Sequence, residues 1–151
     1  MLNDKIISDE TYLSYICDLL NEQTFKLKGF THHKYTTRFQ HCLNVSYYNY
    51  LICRFLKLDA RAAARAGLLH DFYFYTRAEF NLDTTGKKHF KSHPAIALKN
   101  ASDCFDVNKK EADIILNHMW PVTIRLPKYK ESFVIVFVDK FCAVMERLKR
   151  I

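Results

Sequence analysis

A chain of 151 residues is long enough for one compact domain around one core and too short for two ordinary ones. Hydrophobic residues at 49% and aromatics at 15% exclude a disordered chain, and three glycines with three prolines leave little turn chemistry for a many-stranded β fold. The formal charge of +7 calls for an anionic partner only where it is focused, and the 23 Lys and Arg are spread along the chain, with concentrations at Lys87, Lys88, Lys91 and the basic "RLKR" near the C-terminus.

No zinc finger, repeat or arginine-rich tract supports a nucleic-acid partner. No apolar run approaches the roughly 20 residues that span a bilayer, and the start "MLNDKIISDE" lacks the order of a signal peptide. The five cysteines are scattered without a C-x-x-C pair, each among apolar or aromatic neighbours. The expectation is a soluble, cytoplasmic protein with buried free thiols and no membrane partner, its oligomeric state left open.

In chain order, Ser8 is placed to cap a first helix, with Asp9 and Glu10 in its first turn and Leu13, Ile16, Leu19 and Leu20 at helical spacing up to Gly29. "THHKYTT" makes a polar lead-in that leaves His32 and His33 at the surface. Thr36 or Thr37 caps a long second helix running to about Leu58. Asp59 caps "ARAAARAGLLHDF", whose small residues let helices approach closely. From Thr76 to Ser92 no period is sustained, which predicts a loop, and Pro94 stands where a fourth helix should begin. Asn108 with Glu111 forms a capping box before "KKEADIILNHM". After "WPVTIRLP", residues 130 to 147 form a last helix in spite of the β-branched run "FVIVFVD". The fold class predicted is all-α: a single domain, residues 1–151, of about six helices.

Four histidines and two aspartates fall on five of these helical segments: His41, His70 with Asp71, His93, His118 and Asp139. A lone histidine on an apolar face is ordinarily a hydrogen-bonded core residue, and a His-Asp dipeptide arises by chance. Asp139 is harder to set aside. It follows "FVIVFV" directly, and a buried carboxylate needs a cation or several donors, which Lys140, about 100° around the helix, is badly placed to supply. Metal answers all six at once. Imidazoles and carboxylates suit iron, manganese, cobalt, nickel or zinc, and one carboxylate, most naturally Asp71, can bridge two ions.

The ordered set His41, His70-Asp71, Asp139 resembles the His…His-Asp…Asp signature of the HD superfamily of metal-dependent phosphohydrolases, over residues 38 to 142. His93 and His118 resemble the extra pair of its two-metal branches, among them cyclic-dinucleotide phosphodiesterases and symmetrical diadenosine-tetraphosphate hydrolases. The resemblance implies an HD-type helical bundle. It also implies two divalent or mixed-valent ions, iron foremost, one on His41, His70, Asp71 and Asp139, the other on Asp71, His93 and His118. Water between them would be the nucleophile, and a small phosphate-containing anion the substrate. The chain has neither the Gly-Lys after His-Asp nor the later Gly-Tyr-Pro of the cyclic-dinucleotide branch, nor the Ile-Glu-Pro associated with the diadenosine-tetraphosphate branch. Two alternatives share the ligand set: a mixed-valent di-iron oxygenase of the same superfamily, and a non-catalytic metal- or nucleotide-binding regulator.

Around the ligands, Arg38 shares the helix face of His41, where it either clamps a phosphate or serves as an exposed or structural arginine. Asn44 and Tyr48 lie on that face too, placed to orient ligands. Lys88 and His89 occupy the predicted loop before His93, where a lid for an anion competes with a solvated loop. Tyr75 and Trp120 are further candidates for substrate contact, against core packing.

Overall fold

The computed structural model describes residues 2–33, 35–83 and 88–149, so Lys87 and Arg150, two members of the basic clusters, lie outside the described residues. Of the described residues, 72% are helical, as an all-α fold requires. Nine α-helices are found among the described residues, and the excess over six comes from the N-terminal segment, which holds three where one is predicted, and from the predicted loop 76–92, which holds one more.

The expected first helix is divided. Helix α1, Leu2–Ser8, ends at Ser8, whose hydroxyl bonds back to the Lys5 carbonyl, and Asp9 is the residue that caps α2, Glu10–Ile16, by accepting from the Tyr12 N–H. Asn21 with Thr24 then builds a capping box, which starts the short α3, Glu22–Phe25. A box of this kind satisfies two helix-end donors and so favours a new start over continuation. A two-stranded antiparallel hairpin follows, β1 Thr31–His33 and β2 Thr36–Thr37.

Thr37 caps α4, Arg38–Phe55, and Asp59 caps α5, Ala60–Leu69, each by accepting an N–H in the first turn. The two helices pack without a side chain between them at one point. A Cβ on Gly67 would stand 2.6 Å from the Ser46 Cα, a distance real Cβ atoms do not tolerate. Ser46 uses this closeness to donate to the Ala64 carbonyl at 2.6 Å while accepting from the Tyr12 hydroxyl at 2.8 Å. The alanines of α5 therefore serve approach, and His70 is delivered to the interior at the end of the helix.

The segment 76–92 is not a plain loop. It contains α6, Arg77–Asp83, and the start of α7, His89–Cys104, so Pro94 sits inside a helix instead of opening it. The proline costs the Phe90 carbonyl its usual i+4 donor, and Phe90 lies at the surface, where water can replace it. Helix α8, Lys109–Asn117, carries the predicted box of Asn108 and Glu111, and α9 spans Lys130–Arg147 with the β-branched run inside it. Tyr12, Ile16, Tyr50, Leu68, Leu69, Ile114 and Ile135 fill a core shared by α2, α4, α5, α8 and α9. Cys42, Cys53 and Cys142 are buried as expected, whereas Cys17 and Cys104 are exposed; all five are free thiols. No helix among the described residues is long and apolar enough to cross a membrane.

Candidate metal centre

Five helices bring the six predicted residues together. His41 lies in the first turns of α4, His70 caps the C-terminus of α5 with Asp71 next to it, His93 is in the second turn of α7, His118 caps the C-terminus of α8, and Asp139 is midway along α9.

Every one of the four imidazoles spends its Nδ1 on an anchor. His70 Nδ1 is 2.8 Å from the Gly67 carbonyl, His93 Nδ1 is 3.1 Å from that of His89, and His118 Nδ1 is 2.7 Å from that of Ile115. His41 Nδ1 lies 3.0 Å from a carboxylate oxygen of Glu146. An Nδ1–H that donates to an oxygen leaves Nε2 as the lone-pair nitrogen of a neutral ring, so in the neutral form the same tautomer is favoured four times and all four Nε2 atoms turn inward.

The two oxygens of Asp71 face different groups. Oδ1 is 3.2 Å from His93 Nε2 and 3.7 Å from His118 Nε2, while Oδ2 is 3.8 Å from His70 Nε2. Asp139 Oδ1 stands 3.1 Å from His41 Nε2 and 3.7 Å from His70 Nε2. His93 Nε2 and His118 Nε2 approach to 2.9 Å. With both Nδ1 atoms donating, these nitrogens meet lone pair to lone pair, an arrangement that a shared cation relieves. Among the described residues, His70 Nε2 and Asp71 Oδ1 are buried without a hydrogen-bond partner.

Electrostatics point the same way. Burial opposes a charge on His41, yet the Asp139 and Glu146 carboxylates on either side push its pKa up to about 10. Burial likewise works against a charged His70, but Asp71, Cys42 and Asp139 together outweigh it and raise its pKa well above the ordinary value. Asp71 is held well below the carboxylate range in spite of burial, chiefly by His70. His118 runs the other way: burial, then His93 and His70, push it down to about 3. The site thus demands positive charge between its carboxylates and keeps the proton off His118, so a metal cation suits it better than protons do. Nitrogen and carboxylate donors without thiolate fit first-row divalent ions. His41, His70 and Asp71 place ligand atoms within 4.8 Å of one another, and Asp71, His93 and His118 do the same.

The cluster forms the floor of a cavity of about 620 Å³. Arg38 and His89 are on its lining, as are Arg77, Lys140 and Arg147. Arg38 is buried, and its two terminal nitrogens donate to the carbonyls of Tyr73 at 2.6 Å and Tyr75 at 3.1 Å, so it ties down the chain after Asp71 as well as charging the wall. His89 is half-buried, and burial with His93 beside it lowers its pKa to about 4.

Four expected substrate contacts are not on the cavity lining. Tyr48 packs edge-on against Phe141, and Trp120 against Phe133, both with ring centroids 5.6 Å apart. Tyr75 stacks on Phe80 with its hydroxyl buried, and Lys88 is an exposed helix cap. Helical spacing predicted their faces but not which neighbour each face meets.

Two residues escaped the sequence reading. His32, expected at the surface, lines the cavity, with its ring stacked on His41 at 3.7 Å between centroids and its Nδ1 3.7 Å from Asp71 Oδ2. Only the hairpin brings it there, and nothing local signals that pairing. Glu146 is fully buried and accepts from Asn44 Nδ2 at 2.9 Å as well as from His41. Its signal was present: it lies seven residues, two helical turns, beyond Asp139 on the same face of α9. Glu146→Ala is expected to weaken metal binding by roughly 10- to 100-fold, with Glu146→Gln retaining an acceptor and losing less. A competition titration against a chromogenic chelator reads this, and equal affinity in all three proteins would reject the role.

An all-helical domain with histidines and aspartates converging under a cationic cavity defines a metal-binding helical class. Comparison with protein-family models matches the HD domain over residues 38–143. The chain therefore belongs to the HD-domain family, within a superfamily of metal-dependent phosphohydrolases. Neither the curated proteins nor the solved structures gave a match.

Proposed function

We propose that this domain is a two-ion, metal-dependent phosphohydrolase that cleaves a phosphate ester of a small molecule or nucleotide. The carrying observation is the division of Asp71, one oxygen toward His93 and His118 and the other toward His70, with every imidazole oriented through Nδ1. His41, His70, Asp71 and Asp139 would hold one ion, and Asp71, His93 and His118 the other, iron first, with manganese, cobalt, nickel or zinc as substitutes. Divalent ions held there would supply Lewis acidity, lowering the pKa of a bound water and offsetting charge on phosphoryl oxygens.

The chain's own groups do the rest. Glu146 fixes His41, the backbone carbonyls fix the other three rings, and no side chain has to become a covalent nucleophile. Arg38, Arg77, Lys140 and Arg147 give the cavity cations of the sign a phosphate requires. Free thiols, two of them exposed, support a reducing compartment, the cytoplasm.

The test is elemental analysis of the purified protein together with turnover of phosphomonoesters, phosphodiesters and nucleotides. Two ions per chain are expected, with activity that a chelator removes and one particular metal restores. Metal-replete protein that turns over none of these esters would leave the regulator reading in its place, and iron-dependent oxygen uptake with an organophosphonate would point to the oxygenase.

A further inference from the structure

Among the described residues, nothing covers the outer edge of α9. Phe137, Phe141, Val144 and Leu148 are 71%, 46%, 54% and 58% exposed, and they recur at intervals of four, three and four residues. That interval sequence is the apolar seam by which one helix packs along another. On α9 it lies opposite Asp139 and Glu146, which face the metal centre.

Helix α4 extends the same surface. It runs antiparallel to α9, with Asp59 just beyond its end bonded to Glu131 and His41 near its start bonded to Glu146. Tyr48 meets Phe141 across the pair, and the last turns of α4 expose Leu51, Ile52 and, at 85%, Phe55. With Leu56 just beyond, these side chains present on the order of 800 Å² of apolar surface without a charge among them. Monomeric proteins keep their largest apolar patch to about 300–600 Å². A standard interface buries about 800 Å² on each partner.

We propose that a second copy of this chain covers this face, forming a two-fold dimer in which α4 and α9 of each copy make a four-helix layer. The seam is suited to itself. Run antiparallel across a two-fold axis, Phe137 stands opposite Leu148 and Phe141 opposite Val144, a large side chain against a smaller one at each level, which is how facing rows interdigitate. The pairing would brace the helices that carry His41, Asp139 and Glu146. It stands on surface packing alone and does not depend on the proposed reaction.

The test is sedimentation of the full, metal-loaded chain across the micromolar range. The expected mass is twice 17.9 kDa. Because each copy carries +7, association is expected to tighten as salt screens their repulsion. Phe137→Asp and Phe55→Glu, separately, should each weaken association roughly thirtyfold or more, with helical circular dichroism and metal content unchanged. Both positions are more than two-thirds exposed, so either variant reads the same face should the other fold poorly. Ile124→Asp, at a 91% exposed position off this face, should leave the dimer intact. A wild-type chain that sediments as a monomer throughout, or that is monomeric and binds lipid vesicles through this face, overturns the proposal, as do Phe137→Asp and Phe55→Glu proteins that remain dimeric.

Discussion

Asp71→Ala is expected to abolish turnover and to release both ions together. The two oxygens of this carboxylate face separate imidazole groups, so one substitution would remove a ligand from each proposed ion. Removing a single stabilising donor from an active site costs roughly 10²–10³ in rate, and losing a group that serves both ions should exceed that. His118→Ala is the informative contrast, because His118 belongs to one set only and should free one ion while the other stays. Metal stoichiometry and initial rates measured on the same preparations check both. An Asp71→Ala protein that keeps two ions and its activity would sink the two-ion reading.

Arg65→Ala is expected to cause a large loss of stability although it lies away from the centre. Arg65 is 2% exposed and runs from α5 to three distant segments: Nε donates to Glu111 at 3.0 Å, and its terminal nitrogens reach Asp18, the Tyr15 carbonyl and the Asp106 carbonyl. Truncation leaves Glu111, 1% exposed, as a buried charge without its partner, a loss of about 3–5 kcal/mol. Burial raises the Glu111 pKa even with the arginine present. A carboxyl whose folded pKa lies above its unfolded value favours the folded state below the unfolded pKa and loses that contribution as pH rises through the folded one. The deficit of Arg65→Ala relative to wild type should therefore be largest at neutral pH and shrink on acidification. Urea unfolding of both proteins at neutral and mildly acidic pH measures it, and equal midpoints would refute the argument.

What the sequence disclosed divides along a physical line. Thr37, Asp59 and the pair Asn108 with Glu111 were legible because a cap is a local bond within three residues. The six candidate ligands were legible because imidazoles and carboxylates on apolar helix faces are costly, and the His-Asp pair gave them an order. Competing local signals misplaced the first helix, since Ser8 and Asp9 are adjacent and both can cap. Pro94 was read by its commonest position, yet α7 begins a full turn before His93 and so supplies the His89 carbonyl that orients it. His32 was out of reach, because its place depends on a hairpin folding over α4. Tyr48 and Trp120 show the same limit from the other side: spacing gives a face, and only packing gives the neighbour.

His70 and His118 both sit where a helix stops, and both bond to a carbonyl three residues back. The ends of α5 and α8 therefore aim their carbonyl poles at the centre, each equivalent to roughly half a negative charge. Two divalent ions would there meet Asp71, Asp139, the buried Glu146 behind His41 and about one further negative charge from the two poles, which brings the cavity floor close to neutrality. The pull on an arriving phosphate would then come from Arg38, Arg77, Lys140 and Arg147 on the lining, and a product that carries its charge away would return the floor to balance.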